Sequence, residues 1–286
     1  MLARRKEGGL NLCHTEFKRK WRRISMTRAE KIRRQRIRKL KRIRRTLFSV
    51  LLVLCLLTGF VIYQKGGISR GAFTIQAASN VKDAPKKLQE LYEKNPETLE
   101  FVEHYEENKK HPKSMDIAKE VKMGKIPLFL QWDERWGYRQ YGNNLLAING
   151  CGPTCLSMVY SGLTGKANYN PYRMAKMAEK KGYYVYGSGT SWDMMTRMAG
   201  ELGLVAREAQ FDETSILQDL SKGVPMIAIV GPGDFTTQGH FIVLCGVNQN
   251  GKVIVHDPNS KIRSEKTWEL KTLMGQIRNI WCYHVA

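Results

Sequence analysis

"HFIVLCGVNQNGKVIVHDP", residues 240–258, is the stretch from which the fold is read. Two runs rich in Val, Ile and Leu flank N-Q-N-G, a pattern that predicts an antiparallel β-hairpin. With a turn of two or four residues, the numbers of facing positions add to an odd number. His240 then faces Asn259, or Lys261 if the turn shifts by one residue. Side chains alternate with period 2, so Asp257 shares the sheet face of His240. His256, Phe241, Val243 and Cys245 point to the other face. A one-residue bulge would reverse that sorting.

Two further runs, VPMIAIVG (224–231) and IWCYHVA (280–286), also read as strands. Helical signals come earlier: the run after Cys151, then YNPYRMAKMAEKKG (169–182), then SWDMMTRMAGELG (191–203). Helices followed by antiparallel strands predict an α+β domain over 123–286, long enough for one core. Ahead of it, 83–122 predicts a short helical hairpin. Asp83 and Pro85 mark the start of its first helix, Asn95 and Pro96 that of its second. Leu88, Leu91 and Tyr92 form one apolar face, and Leu99, Val102 and Tyr105 the other. Two prolines argue against a coiled-coil stalk, and no internal repeat is present.

The net charge of +21 suggests nucleic acid until its placement is read. Residues 1–46 hold 19 Lys/Arg against Glu7, Glu16 and Glu30, so +16 sits there and +5 remains for the rest. The basic tail, 1–45, adjoins Thr46–Tyr63, TLFSVLLVLCLLTGFVIY, which carries no charge. At ~1.5 Å per residue this run nearly spans a ~30 Å hydrocarbon core. The expectation is a single transmembrane helix, 46–63, with its basic flank in the cytoplasm and everything after Lys65 outside, 64–82 being a linker. A cleaved signal peptide competes, but the small residues Ala77 and Ala78 lie far beyond the apolar run. KIRRQRIRKLKRIRR (31–45) suits a basic helix on anionic lipid, so lipid rather than nucleic acid is the expected partner.

Of six cysteines, Cys13 and Cys55 lie in the tail and the span. Cys151, Cys155, Cys245 and Cys282 remain, too few for a disulfide scaffold. In NGCGPTCLSMVYSG (149–162), Gly150, Gly152 and Pro153 punctuate a turn into an apolar run. Cys151 therefore sits at a helix entrance, where partial positive charge favours thiolate, the nucleophilic form. Cys155, one turn on, joins Met158 and Val159 on the buried stripe. Helical i,i+4 Cβ atoms lie ~5–6 Å apart, too far for a disulfide, and a C-x₃-C pair alone is a poor zinc motif. Cys245 and Cys282 both fall in late strands, and their pairing in an oxidising exterior stays open.

A thiolate nucleophile needs a base, and a carboxylate behind the imidazole fixes its tautomer. The hairpin parity selects His240 with Asp257. His104 and His111 sit in the polar hairpin, and His284 is almost terminal. Upstream, the amide of Gln131 in PLFLQWDERWGYRQYG (127–142) is of a type that donates to an oxyanion, although spacing alone does not assign that role.

Four blocks together, QWDERWG…YG (131–142), GCGPT (150–154), GDFTTQGHFIV (233–243) and HDPNS (256–260), resemble the C39-like, papain-fold cysteine peptidases. KNPE…FV…Y (94–105) resembles a leader in secreted bacterial members. The resemblance implies a helical half, an antiparallel-sheet half and a cleft between them. It implies Cys151 as nucleophile, His240 as base, Asp257 as orienting residue and Gln131 as oxyanion donor, acting on a peptide or protein substrate with no cofactor and no metal. Cys155 departs from the small non-thiol residue of many relatives. Gln131 lies farther from the cysteine than its counterpart in bacteriocin-leader peptidases, so leader cleavage coupled to export is not expected. A cell-wall amidase or transpeptidase, and a non-catalytic peptide-binding domain, are the alternative readings.

Overall fold

The computed structural model describes residues 81–286. The tail, the apolar run 46–63 and the linker up to residue 80 lie outside the described residues. Among the described residues, no helix is long and apolar enough to cross a membrane.

The leading hairpin opens with α1 (Lys86–Lys94). Its start departs from expectation: it begins after Pro85 with no side-chain cap, so Asp83 does not cap it. Asn95 does cap the next segment, its side chain accepting the Glu97 N–H at 3.1 Å. That segment is a 3₁₀ turn, Pro96–Thr98, followed by α2 (Leu99–Glu103) and α3 (Tyr105–Lys110), broken at His104. A 3₁₀ turn winds three residues per turn rather than 3.6, which rotates the apolar stripe. Phe101 and Val102 are buried as a result, and Leu99 is only half-buried.

The hairpin packs on the following domain. Leu88, Leu91, Phe101 and Val102 form a cluster with Ala147, and the Phe101 ring stacks on Tyr138 at 4.1 Å. Two small ladders follow: β1 (Gln140–Tyr141) with β2 (Asn144–Leu145), and β3 (Tyr184–Val185) with β4 (Gly189–Thr190). Between them lie α4 (Leu146–Asn149), α5 (Cys151–Thr164) and α6 (Pro171–Lys180). Instead of one helix, 191–203 forms a 3₁₀ turn, Trp192–Met195, and α7 (Arg197–Glu201). The two meet at Thr196, and Met194, Met195 and Met198 stay buried.

The second half is a six-stranded antiparallel sheet. Its strands are β5 (Leu204–Glu208), β6 (Met226–Val230), β7 (His240–Val247), β8 (Val253–His256), β9 (Thr267–Trp268) and β10 (Ile277–Val285), in the order β5-β10-β6-β7-β8-β9. β5 is an unanticipated edge strand: only Leu204 of it is buried, so it shows no apolar alternation. Ile227, Phe241, Val243 and Trp281 face α5 and α6. Met226, Ile242, Leu244, Val255 and Cys282 face two further helices, α8 (Glu213–Ser221) and α10 (Leu270–Met274). The architecture is thus helices plus antiparallel sheet, with the sheet covered on both sides.

The β7–β8 hairpin departs from expectation twice, and the departures cancel. Val247 pairs with Val253, so five residues close the loop rather than four. Asn248 stabilises the extra residue by accepting the N–H groups of Asn250 and Lys252. Cys245 is then skipped as a bulge, and beyond it Val243 faces His256, restoring the odd sum. Cys245 and Cys282 are free thiols. They lie on opposite faces of strands separated by β6, beyond disulfide reach.

Candidate active site

α5 begins at Cys151, with Pro153 in its first turn, where a missing N–H costs little. Both flanking glycines are required by space. A Cβ on Gly150 would lie 2.4 Å from the Leu146 carbonyl, and one on Gly152 2.9 Å from the Thr190 side chain. Thr190 is itself tied to Tyr141 by a 2.9 Å hydroxyl contact. The cysteine is therefore seated between α4 and the β3–β4 hairpin while remaining partly accessible.

β7 starts at His240, which faces the end of β6 at Val230. The approach to it, residues 231–239, is clamped. Gln276 donates to Asp234 at 2.6 Å and accepts the Asp234 N–H at 2.7 Å. Phe235 is buried against Trp268, with ring centroids 4.6 Å apart. His240 Nε2 lies 2.7 Å from Asp257 Oδ1. The Cys151 thiol lies near enough to the same ring for each group to shift the other's ionisation. Asp257 Oδ1 also accepts the Asn259 N–H at 2.7 Å, and Oδ2 accepts Arg263 Nε at 2.5 Å. The carboxylate, although fully buried, thus has three donors.

The electrostatics follow from those contacts. Burial opposes ionisation of Cys151, but the hydrogen bond and charge of His240, with the N–H groups of Phe241 and Gly152, hold its thiol below the ordinary value. Burial opposes the imidazolium too, yet Asp257 and the Cys151 sulfur raise His240 to about 10. Burial raises the Asp257 carboxyl, but His240 and Arg263 bring it below the usual carboxylate range. The arrangement favours a thiolate–imidazolium pair.

Neighbouring groups of the same type behave differently. Burial pushes the Cys155 thiol well up, and Cys151 adds to the rise. Cys245 is pushed up by burial as well. His256 points away from the site, with Nδ1 3.1 Å from the Pro127 carbonyl, and burial lowers its basicity.

Gln131 is buried beside α4, the turn before Cys151, with its backbone N–H on the Pro258 carbonyl at 2.7 Å. Its Nε2 donates to the Ala147 carbonyl at 2.6 Å, a contact that fixes the amide orientation. Nε2 also lies 3.5 Å from the Ile148 carbonyl, and the amide oxygen Oε1 is buried with no partner among the described residues. His240 and Asp257 are in direct contact, Cys151 lies near enough to His240 to shift its ionisation, and Gln131 contacts α4, just before Cys151, and Pro258, next to Asp257.

Arg263 escaped the sequence reading. It lies on α9 (Lys261–Ser264), whose first turn is capped by Ser260 accepting the Arg263 N–H at 3.0 Å. Ser260 three residues before Arg263 is a capping signal that would have folded the segment back toward Asp257.

A sequence model of the C39-like peptidase family matches residues 123–285, more than half of the chain. No curated protein matches. Among solved structures, one described as a C39-like peptidase from Bacillus anthracis is 13% identical, with a TM-score of 0.34, and covers 58% of this chain and 98% of its own. On the match to the family model, the chain belongs to the C39-like peptidase family.

Proposed function

We propose that the protein is a cysteine peptidase that hydrolyses peptide bonds through Cys151, His240 and Asp257. The observation that carries the reading is one imidazole bonded to a buried carboxylate and near enough to a thiol for each to favour the other's charged form. The Cys151 thiolate attacks the carbonyl carbon of a peptide bond. The oxyanion is held by the Cys151 N–H and the second N–H of Gln131. His240 gives its Nδ1 proton to the leaving amine as the C–N bond breaks, leaving a thioester. Water then attacks the thioester, His240 taking its proton. The acid product departs, and the thiolate–imidazolium pair is regenerated.

The full chain incubated with a peptide library is expected to produce cleaved products, and Cys151→Ala none. Equal cleavage by both forms would sink the assignment.

The same reading places the catalytic domain outside a cell membrane, supported by the uncharged run 46–63 and its Lys/Arg-rich flank. Protease added to intact cells then digests residues 81–286. Their complete protection would reverse the orientation.

A further inference from the structure

The hairpin that precedes the peptidase domain touches the loop carrying Asp257, and it does so through polar groups. Asn95 Nδ2 donates to the Asn259 carbonyl at 2.7 Å, beside Trp132 Nε1 at 3.1 Å on the same oxygen. Glu97 engages the next residues with both carboxylate oxygens. Oε1 accepts the Ser260 hydroxyl, and Oε2 accepts the Ile262 N–H at 3.0 Å. Ser260 is thereby committed: its proton goes to Glu97, and its oxygen is left to accept the Arg263 N–H at 3.0 Å. The Arg263 side chain then reaches back to Asp257 Oδ2, and Asp257 Oδ1 holds His240.

From this chain of contacts we infer that Glu97 is a positioning residue of the catalytic site: the leading hairpin, through Ser260 and Arg263, sets the Asp257 carboxylate that orients His240. The inference rests on the peptidase reading above. A carboxylate is suited to the task because its two oxygens accept from two donors at once, one a side chain and one backbone. Fixing the first turn of α9 fixes where the Arg263 side chain starts. Without Glu97, the Ser260 hydroxyl is free to rotate, and the three-donor arrangement on Asp257 loses its outer support. The charged and titratable groups facing His240 are Asp257 and Cys151, with Arg263 behind Asp257. Cys245 packs into the apolar cluster beneath α5, and His256 meets the Pro127 carbonyl.

The test uses the full chain and needs no substrate. Iodoacetamide alkylation of Cys151 is followed by peptide mass spectrometry across pH, with the unfolding temperature measured on the same samples. In the wild type, the rate rises at a pH well below an ordinary thiol's, because the thiolate is paired with the imidazolium. Glu97→Ala is expected to move that rise upward by about half a pH unit or more, as the support of the imidazolium weakens. Glu97→Gln, which keeps shape and one acceptor oxygen, moves it by less. Ser260→Ala moves it in the same direction, and combining it with Glu97→Ala adds little, since both act through one contact. Glu100→Ala, which removes a neighbouring charge outside the network, leaves the profile unchanged.

If Glu97→Ala and Glu97→Gln lower the unfolding temperature but leave the profile in place, Glu97 merely fastens the hairpin and the inference falls. A wild-type chain without the low-pH rise sinks the peptidase reading, and this inference with it.

Discussion

Cys151 and Cys155 sit one turn apart on one helix, and their chemistry is opposite. Cys151 occupies the first position of α5, and His240 with the backbone N–H groups of Phe241 and Gly152 brings its thiol below the ordinary value. Cys155 is wholly buried with Leu156, Met158 and Val159, where burial makes its thiolate unfavourable. The lesson is that ionisation follows partners rather than residue type. Cys151 is buried enough to be opposed by desolvation too, and only an imidazole and two backbone donors reverse the outcome. His240 and His256 repeat the contrast on neighbouring strands. One is paired with a carboxylate; the other, on the opposite face, meets a backbone carbonyl.

The contrast is sharpest in turnover. Cys151→Ala is expected to cut peptide hydrolysis by roughly 10⁴-fold or more, because the proposed thioester can no longer form. Cys155→Ala should keep kcat/KM within a few-fold while costing about 1 kcal/mol of stability, read from denaturant midpoints, as a small buried side chain is trimmed. A dead Cys155→Ala with an active Cys151→Ala would exchange the two assignments.

The histidines give the next largest difference. On the proposed mechanism His240→Ala removes the general acid and base, with an expected loss of about 10²–10⁴-fold in kcat. His256→Ala leaves kcat within a few-fold, because its partner is the Pro127 carbonyl. Comparable losses from both would mean that the sheet face does not decide which imidazole acts.

Arg263→Ala should act more mildly, and mainly on stability where Asp257 is ionised. Asp257 has a lowered folded value, so its stabilising contribution is present above the unfolded value of about 3.9 and fades as pH falls through the folded one. Removing the guanidinium raises the folded value toward the unfolded one. The acid-unfolding midpoint should therefore move to higher pH, with a loss near neutrality of about 2 kcal/mol, typical of one hydrogen bond to a charged group. An unmoved acid midpoint would show that His240 alone holds the carboxylate.

The parts of this site legible in the sequence are those governed by local periodicity. The turn glycines and Pro153 announce the helix start at Cys151, and alternation along 240–258 puts His240 with Asp257. That sorting survived for a reason the letters do not reveal: a five-residue loop and the bulge at Cys245 shift the register in opposite senses. Contacts between distant segments were not legible. Nothing near residue 97 announces Ser260, and nothing near 234 announces Gln276, because such pairs exist only once the chain has folded. Edge strand β5 was equally hidden, since a strand with one buried residue carries almost no apolar signal.

The pairing of Cys151 with His240 underlies everything above, and the pH dependence of Cys151 alkylation in the wild type against His240→Ala tests it most directly. The account predicts a reactive thiolate well below the ordinary thiol range in the wild type. It also predicts a second change near pH 10, where His240 loses its proton, and a single thiol step at ordinary or higher pH in His240→Ala. Identical profiles for the two proteins, each rising only in the ordinary thiol range, would contradict it.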